Sequence, residues 1–151
     1  VIEDFRALLQ SLTDRSVRFL IVGAHALAAH GIPRMTGDLD VWIATDPANA
    51  RRTWQALAEF GAPLDALGLT PADFEASDRV IQFGLPPFRV DVMTSVSGLT
   101  FEGAWDTRHE GVLLDVPVLF LGRDALIRNK RASGRRKDLD DAHALEAERP
   151  A

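Results

Sequence analysis

The chain has 151 residues, 46% of them hydrophobic, and a formal net charge of −5. This suits a single globular domain spanning 1–151 with a real core, and argues against a linker or a protein that coats nucleic acid. With no cysteine, disulfides, thiolate zinc sites and thiol nucleophiles drop out together, so a bound metal needs oxygen or imidazole ligands and hard cations are favoured.

No apolar run approaches the ~20 residues that cross a bilayer, and the opening VIEDFRALLQ lacks the basic-then-apolar layout of a signal peptide. A cytoplasmic location with no membrane partner is expected. Ile2, Phe5, Leu8, Leu9 and Leu12 fall on one face at helical spacing and predict a first helix. The apolar run over 17–22 predicts a buried strand. Gly23 ends it and opens AHALAAHG, a helix-prone stretch stopped by Gly31 and Pro33. Residues 39–44 alternate, with Leu39, Val41 and Ile43 on one face of a predicted strand and Asp38, Asp40 and Trp42 on the other.

Asp46-Pro47 is a cap followed by a first-turn proline, starting a helix that carries Trp54, Leu57, Ala58 and Phe60 up to Gly61. Thr70-Pro71 repeats the signal for a shorter helix through Phe74. Runs over 79–84 and 88–94, separated by Leu85-Pro86-Pro87, predict a hairpin-like pair with Asp91 on its second strand. A helical turn is expected over 102–107. Residues 112–121 contain Pro117, which predicts an edge strand or an irregular hairpin. Two helices, 123–132 and 135–148, close the chain around Ser133-Gly134. Helices and strands alternate first and pair locally later, so the expected fold class is α/β (α+β): a mixed central sheet over 1–121 flanked by helices, with a C-terminal helical segment over 122–151.

Residues two apart on a strand share a face at roughly 6.5–7 Å, so Asp38 and Asp40 can reach the same ions. Asp91 interrupts an apolar strand, where a charge is costly unless it faces a site. Three acids on one sheet can hold two divalent ions about 3.5–4 Å apart, one activating a hydroxyl and one neutralising leaving pyrophosphate. The Gly23-Ala24 turn offers backbone N–H groups and a helix start to a triphosphate. A DxD or a strand-ending glycine alone is compatible with a cap or a turn; the order of glycine turn, short helix, DxD strand and later Asp strand joins them. Arg128, Lys130, Arg131, Arg135, Arg136 and Lys137 add a local basic run, readable either as a solvated helix face or as a phosphate contact.

At these residues the sequence resembles the DNA polymerase β-like nucleotidyltransferase superfamily, in particular minimal bacterial members related to abortive-infection and toxin–antitoxin nucleotidyltransferases. VGAHALAAHGIPRMTGDLDVWI is similar to the stretch from phosphate-binding turn to DxD, FRVDVMT to the third-carboxylate strand, and LIRNKRASGRRKDLDDAHAL to the C-terminal Lys/Asp motif. The resemblance implies that Asp38, Asp40 and Asp91 bind Mg²⁺ (or Mn²⁺). It implies that Gly23 and Ala24 contact phosphates and that Asp91 or a neighbouring base takes the acceptor proton. Lys130 and Lys137 would stabilise triphosphate charge, and Asp138 and Asp141, one turn apart, would orient them or the acceptor. Arg34 and Thr36 would meet phosphate or ribose. One departure stands out: the second turn residue is commonly Ser or Gly, and Ala24 has no hydroxyl to offer, leaving the task to backbone amides and His25.

The implied activity is transfer of NMP from an NTP to a hydroxyl of RNA (such as tRNA), protein or a small molecule. The other reading is a weakly catalytic or non-catalytic antitoxin-like partner that docks on a cognate protein. His30, His109 and His143 lack metal-ligand spacing and read as structural or surface residues. Glu102, Trp105 and Arg108 are spaced along one helix, near an acceptor by the resemblance or simply packed around Trp105. No Walker-type GK[ST] or Ser/His/Asp order is present.

Overall fold

The computed structural model describes residues 2–85 and 88–148, with side chains from residue 4 on; the expected Pro86-Pro87 turn lies outside the described residues. Helix α1 (Ile2–Asp14) buries Phe5, Leu8, Leu9 and Leu12, the stripe its spacing predicts. Strand β1 (Phe19–Val22) is buried at every position, which is why it reads as an unbroken apolar run. It starts later than the run suggests, because the Arg18 backbone bonds to a side chain. Its N–H donates to Asn49 Oδ1 at 2.7 Å and its carbonyl accepts from Asn49 Nδ2 at 3.1 Å.

Helix α2 (Gly23–Ala29) follows directly, then a loop over 30–37 and strand β2 (Asp38–Ile43). Helix α3 (Pro47–Phe60) is capped by Asp46, which accepts from Asn49 N at 3.1 Å, and it ends at Gly61 with φ 97°. A short 3-10 turn (Pro71–Phe74) buries Phe74. Strands β3 (Val80–Leu85) and β4 (Phe88–Met93) form the expected antiparallel pair, and α4 (Phe101–Asp106) the expected helical turn.

The stretch around Pro117 is a regular hairpin of β5 (His109–Leu113) and β6 (Val116–Phe120), with β6 inside the sheet between β1 and β5. Proline is tolerated there because β1 is short: its pairing with β6 is at Ile21↔Phe120, away from Pro117. Helices α5 (Arg123–Ser133) and α6 (Arg136–Ala147) pack together after a left-handed Gly134.

The six strands run β3-β4-β2-β1-β6-β5, with β2–β4 and β1–β6 parallel and the rest antiparallel. This is the mixed α/β arrangement expected. The core threads α1, the central strands, α3 and the apolar face of α5. Among the described residues no helix is long and apolar enough to cross a membrane.

Candidate active site

Strand register assembles the site. On the parallel β2–β4 pair, Asp38 lies opposite Arg89, Asp40 opposite Asp91 and Trp42 opposite Met93, so one face carries the charged residues while Leu39, Val41, Val90 and Val92 are buried on the other. Trp42 continues that face into the core and meets Phe101 of α4 edge-on at 5.1 Å.

Asp40 and Asp91 stand opposite each other across the strand pair, close enough for their carboxyls to act on one another. Burial first, then the charge of Asp91, pushes the Asp40 pKa up to about 7, with Lys130 opposing the rise. Gln82 on β3 steadies the pair, its Nε2 donating to Asp91 Oδ1 at 2.8 Å. Gly23 closes the other side. Its φ is +67°, and a Cβ there would overlap the Asp40 carboxylate, so glycine is required both for the turn and for the close approach.

Among the described residues no three metal-ligating side chains form a ready-made centre. Asp38, on the same face, adds its charge to the rise of the Asp40 pKa, and its Oδ1 lies 3.5 Å from Arg89 Nε. The register supplies the reason: whatever places Asp91 beside Asp40 places Arg89 beside Asp38, and opposite charges on facing strand positions attract. An all-oxygen donor set with two carboxyls acting on one another, one of them forced toward its protonated form, still suits a hard divalent cation. Asp40 and Asp91 would hold it, with Asp38 on the same cavity wall.

A cavity of about 900 Å³ opens over these residues, bordered by Gly23, Ala24, Arg34, Thr36, Asp38, Asp40, Asp91, Lys130, Lys137, Asp138 and Asp141. The residues anticipated for metal, phosphate and catalytic roles, His25 excepted, therefore border one space. Thr36 Oγ1 accepts from Asp38 N at 3.0 Å and so fixes the start of β2. Lys130 sits between two buried acids, its Nζ 3.5 Å from Asp138 Oδ1 and 3.4 Å from Asp141 Oδ2. Arg34 is ion-paired with Asp141. Burial alone would raise the Asp138 pKa, but the hydrogen bond from Arg135 and the charge of Lys130 outweigh it and hold the carboxyl below its usual range. Asp138 and Asp141 thus orient cations at the cavity wall.

Several residues at the cavity were not anticipated individually. Arg135 borders it, its Nε donating to Asp138 Oδ2 at 2.7 Å. The sequence signal was present but blurred, since Arg135 stands among five other basic residues. Gln82, which reaches Asp91 from β3 without bordering the cavity, carried no signal, because an exposed polar residue on an edge strand is ordinary until its register is known. Asp78, Ser95 and Ser97 also border the cavity, and Ser95 Oγ donates to Asp78 Oδ1 at 2.9 Å; single polar residues in loops gave nothing to align.

Other residues weighed in the sequence lie away from the cavity. His25 does not border it; its Nε2 is buried without a partner, and burial lowers its pKa. His30 is structural, its Nε2 donating to the Leu121 carbonyl at 2.8 Å. The guanidiniums of Arg18 and Arg108 lie over the Trp105 ring, 4.8 and 4.6 Å from its centre, while Glu102 pairs with Arg18 at 2.8 Å.

No protein-family model matches the chain. An aminomethyltransferase from Streptomyces avermitilis is 32% identical over 100 residues, covering 60% of this chain and 26% of that protein; the chain thus spans about a quarter of that relative's length. Two solved structures share the architecture. One is a candidate nucleotidyltransferase from Thermotoga maritima, with TM-score 0.58 and 13% identity, covering 95% of this chain and 88% of that one. The other is an antigenic nucleotidyltransferase-like protein from Paracoccidioides brasiliensis, with TM-score 0.54 and 17% identity, covering 93% and 71%. At these identities the likeness is one of fold, and the fold is that of nucleotidyltransferases.

Proposed function

We propose that the cavity transfers a nucleoside monophosphate from an NTP to a hydroxyl acceptor and releases pyrophosphate. The observation that carries this reading is the juxtaposition in one cavity of the Asp40–Asp91 pair, the Gly23 turn pressed against it and the cations oriented by Asp138 and Asp141. That combination suits a reaction in which negative charge accumulates on phosphate oxygens while a hydroxyl loses its proton.

In this reading the acceptor oxygen bonds to the α-phosphorus as the α–β bridging bond breaks, and the electron pair leaves with pyrophosphate. Asp91, held by Gln82, takes the acceptor proton. The backbone amides of Gly23 and Ala24 meet phosphate oxygens; because α2 is only seven residues long, these local N–H groups matter more than its dipole. Lys130, Arg34, Arg135 and Lys137 neutralise the leaving pyrophosphate, and Thr36 keeps Asp38 in place. Mg²⁺ or Mn²⁺ bound by Asp40, Asp91 and Asp38 would supply Lewis-acid activation and charge neutralisation.

RNA such as tRNA, a protein hydroxyl or a small molecule is the proposed acceptor, and a cognate partner from a toxin–antitoxin or abortive-infection module belongs to the same reading. Incubation with each α-labelled NTP, Mg²⁺ and a cell extract resolved into RNA, protein and small molecules tests it. Label enters one fraction with wild type and falls at least ~10²-fold with Asp40→Asn or Asp91→Asn. Equal labelling by the variants refutes the assignment of these carboxylates.

A further inference from the structure

Met35 stands in the loop between α2 and β2 and is 103% exposed, although it borders the cavity. An apolar side chain left wholly in water forgoes the free energy of burial, and both of its neighbours in the loop are tied down. On one side Arg34 is ion-paired to Asp141 of α6; on the other Thr36 receives the Asp38 N–H at 3.0 Å. Both neighbours are anchored to cavity walls, the first on the cationic side and the second on the carboxylate strand. Met35 therefore stands at the cavity's border between two anchored residues.

The composition of the lining supplies the second observation. Among the described residues bordering the cavity there is no Phe or Trp, and the chain has no Tyr, so a flat ring entering here finds no aromatic surface to stack on. The apolar lining is aliphatic or thioether: Val22, Leu27, Met93, Val96, Leu99 and Met35. Of these Met35 has the most solvent to lose, and an unbranched, polarisable thioether makes favourable contacts with aromatic rings.

We infer that Met35 is the base-contacting residue of the site: it folds over the nucleobase of a nucleoside triphosphate whose phosphates are seated on the cationic wall. Selection is then by contact area, favouring purines over pyrimidines. The inference rests on the proposed reading of the cavity as an NTP site.

Calorimetric titration in Mg²⁺ separates the two. The probes are the α,β-methylene analogue of ATP, which resists cleavage at the reacting bond, and tripolyphosphate, which has the phosphates but no base. Met35→Ala weakens the ATP analogue about five- to tenfold and leaves tripolyphosphate within about twofold of wild type, while Met35→Leu retains most of the affinity. Unchanged binding of the ATP analogue, or equal weakening of both probes, overturns the role of Met35. Wild type that binds neither probe overturns the nucleotide reading itself, and this inference with it; wild type that binds tripolyphosphate as tightly as the ATP analogue overturns the inference alone.

Discussion

Asp40 is where the sequence pattern and the physical cost of the site meet. It lies on a strand opposite Asp91 and is pressed by Gly23, and burial together with the Asp91 charge raises its pKa from 3.8 to about 7. A carboxyl whose pKa rises on folding holds more protons in the native state than in the unfolded one. Its contribution to stability is complete below the unfolded pKa and is lost as pH rises through the folded value. In EDTA, wild type should therefore lose of order 2–4 kcal/mol of unfolding free energy between about pH 4 and 7 relative to Asp40→Asn. Denaturant melts across that range check it; parallel profiles for the two proteins would show that Asp40 is an ordinary carboxylate. The DxD and the lone Asp of FRVDVMT were legible as chemistry from the sequence. The ion pair of Asp38 with Arg89 was not, because it depends on which residues the β2–β4 register sets opposite one another.

At the scale of elements, the loop between α2 and β2 and the helix α6 act as one unit. Asp141 is 1% exposed and pairs with both Arg34 and Lys130, so it ties the C-terminal helix to the loop that fixes Asp38 through Thr36. Replacing it by Asn removes the charge that compensates two cations. Asp141→Asn should cost about 1–3 kcal/mol of stability and speed tryptic cleavage after Arg34. Unaltered cleavage in a variant of lowered stability would detach the loop from α6. Most elements were legible because their signals are local: the Asp46-Pro47 cap, the alternation of β2 and the glycine at the α5–α6 break each specify a conformation within a few residues. The stretch around Pro117 was read as an edge strand or irregular hairpin, yet β6 lies inside the sheet; the reason is non-local, since proline is accommodated by the shortness of β1.

Across the whole molecule, a net charge of −5 coexists with a cavity wall of Arg34, Lys130, Arg135 and Lys137. The average charge concealed it because Asp138 and Asp141 supply buried counter-charges to that wall while other acids are spread over the surface, as at Glu59 and Glu102. The fold, shared with nucleotidyltransferases, brings the turn from one βα junction, the acids from two strands and the cations from the last helices to a single opening. Fold alone leaves the reaction class open; the fate of each phosphate decides it. The most direct measurement is parallel incubation with Mg²⁺, cell extract and ATP labelled either at the α- or at the γ-phosphorus. Nucleotidyl transfer puts the α label on the acceptor and the γ label in pyrophosphate, in equal amounts. A γ label on the acceptor, or γ label released as orthophosphate with no α label transferred, would contradict it.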